Sequence, residues 1–146
     1  MSDAIRPESA GAAAASGPGP YVLDASALLC LINGEPGADR VAAVLPPAVI
    51  SAVNLAEVAS KLNELGANAD TAQALLAPLH LSVVPFDESA AHATGALRSA
   101  TRVHGLSLGD RACLALCASR GATALTTDKV WAPVCEIIGI PIQMLR

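Results

Sequence analysis

Aromatic side chains are almost missing from the sequence: Tyr21, Phe86 and Trp131 are the single representatives of their types. Domains that read single-stranded nucleic acid by stacking bases on aromatic platforms need several such rings, so that mode of binding has no basis here. A basic surface is missing as well. Nine Lys and Arg stand against thirteen Asp and Glu, a formal net charge of −4, where phosphate binding ordinarily relies on a positive patch. No apolar run approaches the ~20 residues needed to span a bilayer. Asp3 and Glu8 interrupt the start of the chain, where an export signal would place a basic and then an apolar segment. A cytoplasmic protein without a membrane segment is therefore expected. The cysteines, Cys30, Cys113, Cys117 and Cys135, show no CxxC spacing and no adjacent His. Cys113 and Cys117 fall four apart on one helical face but lack further ligands, so a zinc site is set aside and reduced core thiols are expected.

What is present is an apolar chain with sparse charge, 53% hydrophobic and 15% charged, enough to bury one continuous core. Residues 1–20 contain an Ala/Gly/Pro tract from Ser9 to Pro20 and read as a flexible tail; residues 21–146 read as one domain. The stretch Tyr21–Asn33 organises it: an apolar run ends at Asp24, Ser26 follows, and helical spacing begins. Further strand patterns fall at Ala48–Ser51, Leu81–Phe86 (an edge strand, from Pro85), Thr123–Thr127 and Ile140–Leu145. Helical patterns fall at Gly37–Leu45, Asn54–Leu65, Asp70–Leu79, Glu88–Val103, Leu108–Ser119 and Lys129–Ile137. Strands that alternate with helices, too far apart for hairpins, imply an α/β fold with a central, mainly parallel sheet between two helical layers.

Four acids sit at the junctions between strand ends and helix starts. Asp24 and Asp128 end apolar strands, while Glu57 and Asp110 open helices, three residues after Asn54 and Ser107 as in a capping box. Each has an ordinary explanation as a cap or first-turn acid, worth ~0.3–1 kcal/mol through the helix dipole. Together they lie at the edge of the sheet where ligands bind in such folds. Two carboxylates held ~4–6 Å apart repel by on the order of 3–4 kcal/mol at an effective dielectric of 20. A divalent cation would relieve that repulsion, and oxygen donors without His or Cys favour Mg²⁺ or Mn²⁺.

Four segments, "YVLDASALL", "SAVNLAEVASKL", "LSLGDRACLALCASRG" and "ALTTDKVWA", give the stretch from Tyr21 to Arg146 a resemblance to the PIN-domain ribonucleases, and among them to the VapC toxins of toxin–antitoxin pairs. The resemblance implies a three-layer α/β/α domain with the first strand central and the fourth beside it. It implies an Mg²⁺-dependent endoribonuclease whose acidic site matches Asp24, Glu57, Asp110 and Asp128, with Ser26 and Thr127 in support. Asp24 and Asp110 would touch the metal, and Glu57 and Asp128 would act directly or through water. A homodimer, a VapB-like antitoxin that obstructs the acidic pocket, and structured RNA such as tRNA or ribosomal RNA as substrate are also implied. Arg98, Arg102, Arg111 and Lys129 are candidates to border the cleft. Two rivals are weighed. A haloacid-dehalogenase-like phosphatase would need a second Asp where Ser26 stands. A non-catalytic module would use the acids to dock arginines of a partner.

Overall fold

Tyr21–Leu23 enters the molecule as the central strand of a sheet. The computed structural model describes residues 20–146, so the tail expected over residues 1–20 lies outside the described residues apart from Pro20. The strands are β1 (Tyr21–Leu23), β2 (Val49–Ser51), β3 (Ser82–Val84), β4 (Thr123–Thr126) and β5 (Ile142–Met144). They form one parallel sheet in the order β3-β2-β1-β4-β5. The helices are α1 (Ala25–Ile32), α2 (Ala38–Val44), α3 (Ala52–Glu64), α4 (Ala69–Leu76), α5 (Glu88–Ala96), α6 (Arg98–Thr101), α7 (Leu108–Arg120) and α8 (Trp131–Ile138), with 3₁₀ turns at Ala77–Leu79 and Arg102–His104.

All of β1 is buried, as a strand covered on both faces must be. Alternation splits its side chains. Tyr21 and Leu23 join a core with Leu28, Ile50, Val58, Leu62 and Leu125, while Val22 joins a second core with Cys113, Leu114, Cys117, Ala124, Trp131 and Val134. The two cores are the two faces of the sheet, one packed by α1 to α4 and the other by α7 and α8. Full burial of side chains such as Leu23, Leu28, Ile50 and Leu114 stabilises the fold by about 1.5–3 kcal/mol each. From β1 the chain steps outward through β2 to β3, then returns to the other side of β1 for β4 and β5. The strand order therefore reverses between β1 and β4, the position at whose carboxyl edge open α/β sheets ordinarily bind ligands.

Three expected elements are corrected. The helix over Glu88–Val103 is broken: Gly95 weakens its last turn, the Leu97 amide bonds back only three residues to Thr94, and α6 restarts beyond it. The last helix starts at Trp131 rather than Lys129, because Asp128 and Lys129 close a turn in which the Val130 amide donates to Asp128 Oδ1 at 3.0 Å. Asn54 does not begin a helix. Ser51, at the end of β2, caps α3 by accepting from the Val53 amide at 3.1 Å, so the helix starts as the strand stops. Glu57 is consequently a second-turn residue, and no capping box joins it to Asn54. The capping box expected at Ser107 and Asp110 is present. Among the described residues no helix is long and apolar enough to cross a membrane.

Candidate active site

Asp24 stands at the carboxyl end of β1, beside β4. Asp24 is only 4% exposed and occupies the N-cap of α1. Its Oδ1 accepts from the Ala27 amide at 2.8 Å and from Ser26 Oγ at 2.7 Å, and its Oδ2 accepts from Thr126 Oγ1 at 2.6 Å. Burial pushes its carboxyl up from the usual 3.8 to about 6; the three hydrogen bonds oppose the rise and the charge of Asp110 adds to it.

Asp110, in the first turn of α7, is half-buried. Its Oδ2 accepts from the Ser107 amide at 2.9 Å while its own amide donates to Ser107 Oγ. Burial raises its carboxyl above the ordinary value, Asp128 adds to the rise, and the Ser107 bonds and Arg111 oppose it. Asp128 follows β4, and its amide donates to Thr126 Oγ1 at 3.0 Å. Glu57 projects from α3 to the exposed rim. There the Asn54 side-chain amide donates to Glu57 Oε1 at 2.8 Å and to the Gly109 carbonyl at 3.0 Å, tying α3 to the first turn of α7.

Three of the four acids use only one carboxylate oxygen in hydrogen bonds among the described residues. Asp110 Oδ2, Asp128 Oδ1 and Glu57 Oε1 each accept a hydrogen bond that fixes the side chain. The second oxygen of each accepts none among the described residues. None of the four acids forms an ion pair among the described residues. Their charges interact in pairs, Asp24 with Asp110 and Asp110 with Asp128. Among the described residues, no three His, Cys, Asp or Glu side chains are already gathered as they would be around an ion. The donor set fits Mg²⁺ or Mn²⁺ in kind: carboxylate oxygens without an ion-pair partner among the described residues, Asp110 repelled by Asp24 and Asp128, with no nitrogen or sulfur.

Ser26 lies where expected, its hydroxyl donating to Asp24 and accepting from the Thr127 amide at 3.0 Å. Thr127 thus contributes its backbone, and Thr126 supplies the hydroxyl that links Asp24 to Asp128. Arg111 does not border the cleft. It is 9% exposed, and its Nη1 donates to the Thr94 carbonyl, bracing α7 against α5. Arg98, Arg102 and Lys129 are exposed. Asn54 was not singled out as a site residue, yet the sequence carries its signal: a polar residue in the buried stripe Asn54, Val58, Leu62 of α3.

A family model described as PIN domain matches residues 21–137. No curated protein matches the sequence. Several solved structures share the fold. The VapBC2 complex of Rickettsia felis, bound to a DNA fragment from its promoter, is 17% identical with a TM-score of 0.67 over 86% of this chain and 98% of the other. A toxin–antitoxin complex from Klebsiella pneumoniae is 22% identical with a TM-score of 0.65 over 86% and 98%. VapBC-5 from Mycobacterium tuberculosis is 24% identical with a TM-score of 0.59 over 87% and 99%.

Proposed function

Since the chain belongs to the PIN domain family, we propose that it is a divalent-metal-dependent endoribonuclease and the toxin of a VapBC-type pair. One observation carries the reading. A buried carboxylate, Asp24, stands at the strand-order reversal of the sheet, and no cation pairs with it or with the three further acids at the same edge among the described residues. Stability alone gives no reason for such an arrangement, because an unpaired buried charge weakens a fold.

Asp24 and Asp110 would hold Mg²⁺ or Mn²⁺ directly, with Asp128 and Glu57 completing the shell or acting through water. When bound, the ion supplies Lewis-acid polarisation of the scissile phosphodiester. The chain's own residues do the positioning. Thr126 and Ser26 lock both oxygens of Asp24. Ser107 orients Asp110. Glu57, on the exposed rim with Oε2 free, can orient an attacking water and take its proton. Charge neutralisation also eases the low basicity of the chain: four of its thirteen acids belong to this set, and one or two divalent ions there would offset two to four of the formal −4 charges.

Complexes of VapB with VapC type proteins among the fold's relatives support a small antitoxin as partner. Leu108 and Val130, 54% and 48% exposed, flank Asp110 and Asp128 in sequence and offer apolar purchase for a chain that covers the pocket. The same reading includes a homodimer in the cytoplasm acting on structured RNA such as tRNA or ribosomal RNA. The second reading, a binding module without catalysis, is favoured by the absence, among the described residues, of a pre-gathered set of three ligands.

Incubating the purified protein with total tRNA and with ribosomal RNA, in Mg²⁺, Mn²⁺ or EDTA, separates the two. Cleavage that requires the metal and is lost in Asp24→Asn supports the nuclease. No cleavage in any metal, or equal cleavage in EDTA, refutes it.

A further inference from the structure

Two residues beside Glu57 work against the stability of the elements that carry them. Asn54 is 1% exposed, and because its amide nitrogen serves both Glu57 and the Gly109 carbonyl, its Oδ1 is left buried without a donor among the described residues. An apolar residue would suit that position in the stripe better, since an unpaired buried acceptor destabilises a core. Gly109 lies in the first turns of α7 with ordinary helical backbone, where alanine would be the better helix former. Its reason is steric. A Cβ built on Gly109 would fall on the Glu57 carboxyl group, meeting Oε2, Cδ and Oε1 together and no other atom as closely.

Both departures from good local design thus converge on one carboxylate. We propose that Asn54 and Gly109 are positioning residues that form the seat of the Glu57 carboxylate, next to Asp110 at the start of α7. Asn54 fixes Oε1 from α3. The bare backbone of Gly109 leaves the space into which the carboxylate settles, and Asn54 clasps that same backbone through its carbonyl. The seat holds an exposed side chain against the Gly109 backbone, with Oε1 bonded to Asn54 and Oε2 accepting no hydrogen bond among the described residues. This rests on reading Glu57 as one of the site acids.

The steric partner of a Cβ at position 109 is the end of a flexible side chain, so Gly109→Ala can be accommodated if Glu57 swings away. Gly109→Ala and the near-isosteric Asn54→Leu are therefore expected to fold with a Tm at or above that of the unsubstituted protein. In crystal structures of both, the Glu57 carboxylate leaves the Gly109 backbone. Mn²⁺ affinity, read by electron paramagnetic resonance, and RNA cleavage each fall by about 10- to 100-fold, the range for loss of a group that orients a ligand. In a Glu57→Gln background neither substitution lowers them further, because their effect passes through that carboxylate. Unchanged metal affinity and cleavage in both variants overturns the proposal, as does a loss that persists undiminished in Glu57→Gln. A strongly lowered Tm would assign both residues to the core and overturn it equally. If the unsubstituted protein neither binds Mn²⁺ nor cleaves RNA, the nuclease reading fails separately. The seat is then decided by the crystal structures alone: a Glu57 carboxylate still lodged against Gly109 in Asn54→Leu rejects it.

Discussion

Asp24→Asn should make the protein more stable at neutral pH, although it removes the residue placed at the base of the site. Burial lifts the Asp24 carboxyl from 3.8 to about 6. The raised value means that the folded protein holds this proton more tightly than the unfolded chain. The contribution to stability is greatest below about pH 4, is lost as pH rises towards 6, and is fully lost above it. At 1.36 kcal/mol per unit, keeping the charge in the interior at neutral pH costs about 3 kcal/mol. Asn removes that cost and remains a good N-cap for α1, its Oδ1 still able to accept from the Ala27 amide. The Ser26 and Thr126 hydroxyls must rotate to accommodate the amide nitrogen, which takes back part of the gain. A net stabilisation of about 2 kcal/mol corresponds to a Tm higher by roughly 5–10 °C for a domain of this size. Thermal unfolding by circular dichroism in EDTA, at about pH 7.5 and about pH 4, reads the difference. The gap should be wide at the higher pH and close at the lower. Added Mg²⁺ should raise the Tm of the unsubstituted protein and leave Asp24→Asn unmoved. A variant with equal or lower Tm at pH 7.5, or a gap of the same size at both pH values, refutes the idea that Asp24 is a strained buried charge.

Thr126→Val deletes the hydroxyl that donates to Asp24 and accepts from the Asp128 amide. It should cost about 1–3 kcal/mol in urea unfolding through the groups left unpaired and move the Asp24 titration further up, whereas an unchanged titration would detach Thr126 from Asp24. The thiols should be inert in the folded state. Contact with Cys117 and burial hold the Cys113 thiol well above its ordinary range, and burial lifts Cys135 to about 11. Ellman's reagent at about pH 7.5 should therefore find four reactive cysteines only after denaturation, and rapid labelling of the folded protein would contradict the burial seen here.

The order of elements was legible because each buried strand ends in a hydroxyl or carboxylate and each helix shows its apolar spacing. Tyr21–Leu23 and Thr123–Thr126 needed no tertiary information to be recognised, and the edge position of β3 followed from Pro85. Asn54 misled because Asn is a good cap by type, while Ser51, three residues earlier and written as part of the strand, is a good cap as well. Only packing decides that the helix starts at once and buries Asn54. Thr126 and Thr127 are indistinguishable as neighbours in sequence. The pleat of β4 sends the Thr126 hydroxyl to Asp24 and leaves Thr127 to act through its amide. Arg111 looked like a cleft residue beside Asp110, but a helix turns 100° per residue and carries it under α5 instead. No spacing in the sequence encodes how near the four acids come to one another.

The account stands on the acids at the carboxyl edge of β1 and β4 acting as one divalent-cation site. Titrating Mn²⁺ into the protein and into Asp24→Asn and Asp110→Asn, with free ion followed by electron paramagnetic resonance, tests that directly. Binding by the unsubstituted protein that weakens at least about tenfold in each variant, about 1.4 kcal/mol, is the predicted result. No binding, or binding that both variants retain at full strength, would contradict it.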